Sequence, residues 1–268
     1  MQKTCFVLLP GSGMSDWLWT KMTPFLDIPY ITIDRRLKYN SPSNPMKENI
    51  NDCVDYAMEI INSSEFNTFI IVAHNGAGLL ASRLAARLGE RACHTVYIAA
   101  NIPAEGMTAL DNLPDASRRA SREAAGKLVL ANSIPHKLME PFVRDVLCND
   151  CDEETTKFVL EQRFLPEPLC SVNETALWKD YPDILQTYIV AEEDKVLTPE
   201  KQLEMARTLS IKEIIRVNAG DMMMLSHPDE TADILNSIAF KYVKNTHQMK
   251  TVPQARVYQP ETNGNQAH

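Results

Sequence analysis

A chain of 268 residues, 44% hydrophobic and 23% charged, is long enough for one large globular core with room for an inserted cap. The net charge of -8 and pI near 5.3 argue against the basic face that nucleic acid or an anionic membrane needs. A small-molecule ligand or substrate is expected instead, with a homodimer allowed and no cofactor or metal called for.

The first predicted element is a buried strand over 4–10, "TCFVLLP". This apolar run stops at Pro10, too short for a signal-peptide core, and no segment has the apolar length that spans a bilayer, so a cytoplasmic protein is expected. Gly11, Ser12 and Gly13 follow, then Trp17 and Trp19. A strand over 28–34, a helix over 47–63 and a strand over 68–74 come next. That strand turns sharply at Asn75 into a helix over 77–89, and a further strand is predicted over 95–101. The interval 104–184 breaks the alternation with polar helical stretches at 115–132, 141–148 and 152–164, and reads as a helical lid. Alternation resumes with a strand at 186–192, a helix at 199–209, a strand at 213–219 and a helix at 228–245. Residues 246–268 lose periodicity and read as a flexible tail.

Apolar strands alternating with helices indicate an α/β fold, a mostly parallel sheet covered on both faces. The core is assigned to 1–103 and 185–245. Six cysteines lack framework spacing, which fits free thiols; Cys148 and Cys151 form a lone C-x-x-C, read as ordinary thiols near a helix start. Of only nine glycines, Gly11, Gly13, Gly76, Gly78 and Gly220 fall at strand exits, where open parallel sheets place ligand sites.

"FVLLPGSGMSDWLW", "VYIAANIPAEG", "YIVAEEDKVLTPE" and "NAGDMMMLSHPDE" occur in an order that resembles the α/β-hydrolase family, in the small-lid branch of plant methylesterases and hydroxynitrile lyases. The resemblance runs from about residue 4 to 245 and implies the α/β-hydrolase fold. It also implies an elbow of form G-x-S-x-G with a strained apex. Here that frame is Ala73, His74, Asn75, Gly76 and Ala77, so asparagine stands in the nucleophile's place. The resemblance puts the acidic triad member at Asp194. It puts the histidine slot at Asp221, or at Met222 with a one-residue gap.

Asn75 has no nucleophilic hydroxyl, so acyl-enzyme chemistry is excluded at that position. His227 reads as a surface or capping residue, His74 as packing, and His136 as a lid residue that nothing requires in the site. Ser12, Gly11 and Gly76 are candidates for oxyanion or ligand binding; Trp17, Trp19, Met222 and Trp178 are candidates for an apolar lining. Asp194 and Asp221 in one partly buried pocket should share a proton near neutral pH, and with Asn75 could serve lyase, cyclase, dehydratase or isomerase chemistry. The competing reading is a catalytically inactive pseudo-hydrolase that binds a small ligand or a protein. An oxygen-rich metal site from Asp194, Asp221 and Asn75 is a third reading, with few ligands to support it.

Overall fold

The computed structural model describes residues 3–33, 49–112, 140–164, 173–179 and 181–243. Its centre is a six-stranded, all-parallel sheet in the order β2-β1-β3-β4-β5-β6. The strands are β1 Thr4–Leu9, β2 Tyr30–Thr32, β3 Thr68–His74, β4 Ala92–Ile98, β5 Leu185–Ala191 and β6 Glu213–Val217. β1 and β3 are buried along their whole length because both faces of the sheet are covered, which is why they read as unbroken apolar runs. Alternate side chains feed two cores. Cys5, Val7, Leu9, Phe69, Ile71 and Ala73 enter one, while Phe6, Leu8, Ile70 and Val72 enter the other with Trp17, Trp19 and Met222.

Helices α1 Ile50–Ser63, α2 Gly78–Leu88, α3 Glu153–Leu160, α4 Pro199–Thr208 and α5 Pro228–Phe240 surround the sheet. Their starts follow local chemistry. Asn49 accepts from the backbone of Asn51 and Asp52 while Asp52 accepts from Asn49 N–H, a reciprocal cap that shortens the predicted helix to Ile50. Thr198 caps α4 with Pro199 in its first turn, and Asp152 caps α3.

Three strands and the last helix differ from expectation by two residues or more. β2 is confined to Tyr30–Thr32 within the predicted 28–34. β4 starts three residues earlier than predicted and ends at Ile98, because Ala99 takes a φ of 43° and turns the chain out of the sheet. β6 ends at Val217, and α5 ends at Phe240 rather than reaching 245. In the β4–β5 connection, Val143–Leu147 forms a single π-helical turn, followed by α3. Cys148 and Cys151 lie just before α3 as free thiols. The predicted stretch 115–132, His136 and the tail 246–268 lie outside the described residues. None of the described helices is long and apolar enough to cross a membrane.

The chain runs from β1 to β2 on one side and returns to β3 on the other, so the sheet's order reverses between β1 and β3. Parallel sheets open a crevice outside the carboxyl ends of strands at such a point. The loop after β1 carries Gly11 and Ser12, and the turn after β3 carries Asn75.

Candidate active site

β3 ends at His74, and Asn75 follows with a φ of 45° before the short 3-10 turn Asn75–Ala77 leads into α2. Asparagine reaches this left-handed region at lower cost than most residues with a side chain. The apex is held from outside the turn, since the Asn75 carbonyl accepts from Asn101 N–H at 2.8 Å. The loop after β1 lies directly against the elbow. A Cβ on Gly11 would stand 2.6 Å from His74 Nδ1, and one on Gly76 would stand 1.9 Å from Ser12 Oγ. Both glycines are therefore required by close approach, and Ser12 sits over Gly76.

Asn75 turns its amide inward, where Nδ2 donates to Asp221 Oδ1 at 2.9 Å. His74 Nε2 lies 2.9 Å from the Asp221 carbonyl and 3.4 Å from its Oδ1. Both neighbours are acceptors, so Nε2 carries the hydrogen. His74 and Asp221 are both fully buried. Among the described residues, His74 Nδ1 and Asp221 Oδ2 have no hydrogen-bond partner. His74 does pack, edge-on beneath Trp19 with ring centroids 6.5 Å apart. It also joins the polar cluster, which the packing reading did not foresee.

Asp194 is 4% exposed. Its Oδ1 accepts from Val196 N–H at 2.6 Å and Leu197 N–H at 3.1 Å, and its Oδ2 from Gln202 Nε2 at 2.9 Å. Burial, then the charge of Asp221, push its carboxyl up to about 8 against the pull of the two backbone donors. Asp194 thus keeps its proton to higher pH than an exposed carboxyl, with the Asp221 side chain close by. Tyr188 Oη, which donates to the Ala100 carbonyl at 2.7 Å, is raised by burial and then by Asp194.

The structure brings Ser12, Gly11, Gly76, Asn75, Asp194 and Asp221 to one end of the sheet. The aromatic candidates divide. Trp19 is 1% and Trp17 6% exposed, and Met222 is fully buried, so these three are core residues around the site. Trp178 packs, partly buried, against the other core, donates Nε1–H to the Pro103 carbonyl at 2.7 Å and leans on Tyr181. Its place in the chain gave no way to tell which face of the sheet it would cover. His227 stands at the N-cap position of α5, where its side chain makes no capping hydrogen bond. Among the described residues no group of three or more His, Cys, Asp or Glu side chains is placed to hold a metal ion.

Residues 6–234 match the alpha/beta hydrolase family. The chain belongs to that family. Within it, the chain is similar to methylesterase 17 of Arabidopsis thaliana, 21% identical over 83% of this chain and 87% of the relative. Among solved structures, the extracellular alpha/beta-hydrolase from a Paenibacillus species superimposes with a TM-score of 0.72 at 17% identity, covering 87% of this chain and 98% of that one. Tomato methylketone synthase I, solved with beta-ketoheptanoate, does so with a TM-score of 0.65 at 18% identity, covering 91% and 100%. These solved structures share the fold of this chain.

Proposed function

We propose that this chain binds a small, partly apolar carbonyl metabolite over the elbow and transforms it without an acyl-enzyme, by acid–base chemistry of the lyase, cyclase, dehydratase or isomerase type. The observation that carries this reading is the contact between Asn75 Nδ2 and Asp221, with Asp221 buried beside an Asp194 that keeps its proton near neutral pH. An amide supplies no nucleophilic oxygen for acyl transfer, whereas a loaded carboxyl pair can exchange protons at pH 7. Asn75 and Gly76 are half-buried and Ser12 is too, so they are the polar groups a ligand meets first. The Asn75 amide, with one N–H committed to Asp221, offers its other polar atoms to a ligand carbonyl or enolate. Rotation of the Asn75 side chain then opens Asp221 to the same ligand.

The family context pulls two ways. The methylesterase relative is named for ester hydrolysis, while methylketone synthase I carries a name that is not hydrolytic and was solved with a β-keto acid. A second reading, a binder without turnover, is favoured by the complete burial of Asp221 in the present arrangement.

The two readings separate in one experiment. Small β-keto acids and related apolar carbonyl compounds are incubated with the protein in D2O and followed by NMR for product and for deuterium incorporation. Wild-type protein is expected to turn over at least one of them. Asp221→Asn should keep its affinity and lose about a hundredfold to ten-thousandfold in rate. Undiminished turnover by the variant overturns the carboxyl-pair mechanism, and tight binding by wild type with the compound returned unchanged and undeuterated favours the binder.

A further inference from the structure

The two carboxylates come from different loops, after β5 and after β6, and neighbouring residues of the β4–β5 connection grip both loops one residue upstream. Asn149 Nδ2 donates to the carbonyl of Glu193, which precedes Asp194, at 2.9 Å. Asp150 Oδ2 accepts from the N–H of Gly220, which precedes Asp221, at 2.8 Å. The same oxygen accepts the Ser226 hydroxyl at 2.7 Å, so a single side chain ties down both ends of the segment that carries Asp221. A Cβ on Gly220 would stand 2.5 Å from Asp150 Oδ1, and glycine alone permits that approach. The Asp150 side chain is only 6% exposed, and a buried carboxyl needs the donors these loops supply. Lys195 reaches the same connection, donating Nζ–H to the Asp145 carbonyl at 3.1 Å.

Ser226, His227 and Asp150 have the residue types of a hydrolytic triad, but their hydrogen bonds do not run as one. His227 Nδ1 lies 3.0 Å from Ser226 Oγ and 3.5 Å from Asp150 Oδ2. The one hydroxyl proton of Ser226 goes to Asp150, whereas an activated serine gives its proton to the imidazole. The cluster fastens two segments together and does not create a nucleophile.

We infer that Asn149 and Asp150 are positioning residues that hold the loops of Asp194 and Asp221 in register, and through Asp221 fix the Asn75 side chain at the elbow. Asn75 and Asp150 need never meet the same atom for this coupling, because each bonds to the segment from Gly220 to Ser226. The inference concerns the geometry of the site and stands whether or not a ligand is turned over there.

The test uses the full chain labelled with ¹⁵N and reads the Asn75 side-chain amide, whose bond to the buried Asp221 should slow its exchange with solvent. Asp150→Ala is expected to speed that exchange about tenfold or more. Asp150→Asn keeps an oxygen for Gly220 N–H and should hold most of the protection, which separates the clasp from the loss of a charge. Asp152→Ala, which uncaps α3 in the same connection, should leave the signal unchanged. Equal loss in Asp150→Asn and Asp150→Ala, an unchanged signal in folded Asp150→Ala, or an equal effect of Asp152→Ala overturns the inference. Should Asp150→Ala fail to fold, Asn149→Ala and Ser226→Ala each remove one bond and are expected to speed exchange about threefold; no change in either overturns it equally.

Discussion

At residue 75 two demands meet, a backbone φ of 45° and a side chain that must reach Asp221, and asparagine satisfies both. A chain built this way has no acyl-enzyme to form at its elbow. Phosphonate serine reagents are therefore expected to leave the pocket unlabelled, with intact-mass spectrometry as the measurement; stoichiometric labelling in the pocket would mean that a different oxygen serves as nucleophile. The Asn75-Gly76 dipeptide is prone to succinimide formation in flexible chains. Here the Asn75 carbonyl and amide are both bonded, so peptide mapping should find asparagine and not aspartate. Asn75, Asp194 and Asp221 were singled out in the sequence because motifs resembling the α/β-hydrolase family point to those positions, and Gly76 because it sits where a strand exits. His74 was not, since its partner, the Asp221 carbonyl, lies 147 residues further along the chain and only the fold brings the two together.

The 3-10 turn Asp16–Trp19 works as a rivet between the sheet and the β4–β5 connection. Trp17 meets Phe158 of α3 and Phe164 edge-on, with centroids 6.4 and 5.6 Å apart. Trp17→Ala would empty a buried site and remove both ring contacts, at about 3–5 kcal/mol. A fall of that size in denaturant unfolding is expected; a loss below about 1 kcal/mol would mean the connection packs without it. Strands and helices of the sheet were readable because burial on both faces imposes its pattern on every turn of chain. The connection was harder. Asn149 and Asp150 sit in a polar turn with no period to announce them, and their partners at Glu193, Gly220 and Ser226 are distant in the chain. Likewise nothing near Trp178 indicates which side of the sheet it covers.

Two buried groups among the described residues bear on the pH dependence of stability around neutrality. Burial lowers His94 from 6.5 to about 4, with Lys241 assisting and Glu213 opposing, while Asp194 rises from 3.8 to about 8. Between about pH 4 and 6.5 the folded chain keeps a proton on Asp194 that the unfolded chain releases, and lacks one on His94 that the unfolded chain holds. These two slopes oppose and cancel. From about 6.5 to 8 only Asp194 of these two still acts, and its contribution should lower stability by about 1.4 kcal/mol per pH unit. Asp194→Asn should abolish that decline in unfolding curves taken across the range; a decline that survives the substitution would mean Asp194 is ionised in the fold. The sheet order has one more effect, on biogenesis. Ser12 follows the first strand and Asp221 the last, with Asn75, Asp150 and Asp194 spread between them. While the chain is being synthesised, nothing resembling the finished site exists until the segment beyond β6 has left the ribosome. A ligand of this site therefore cannot guide the folding of the nascent chain; it can only capture a molecule whose sheet is already complete.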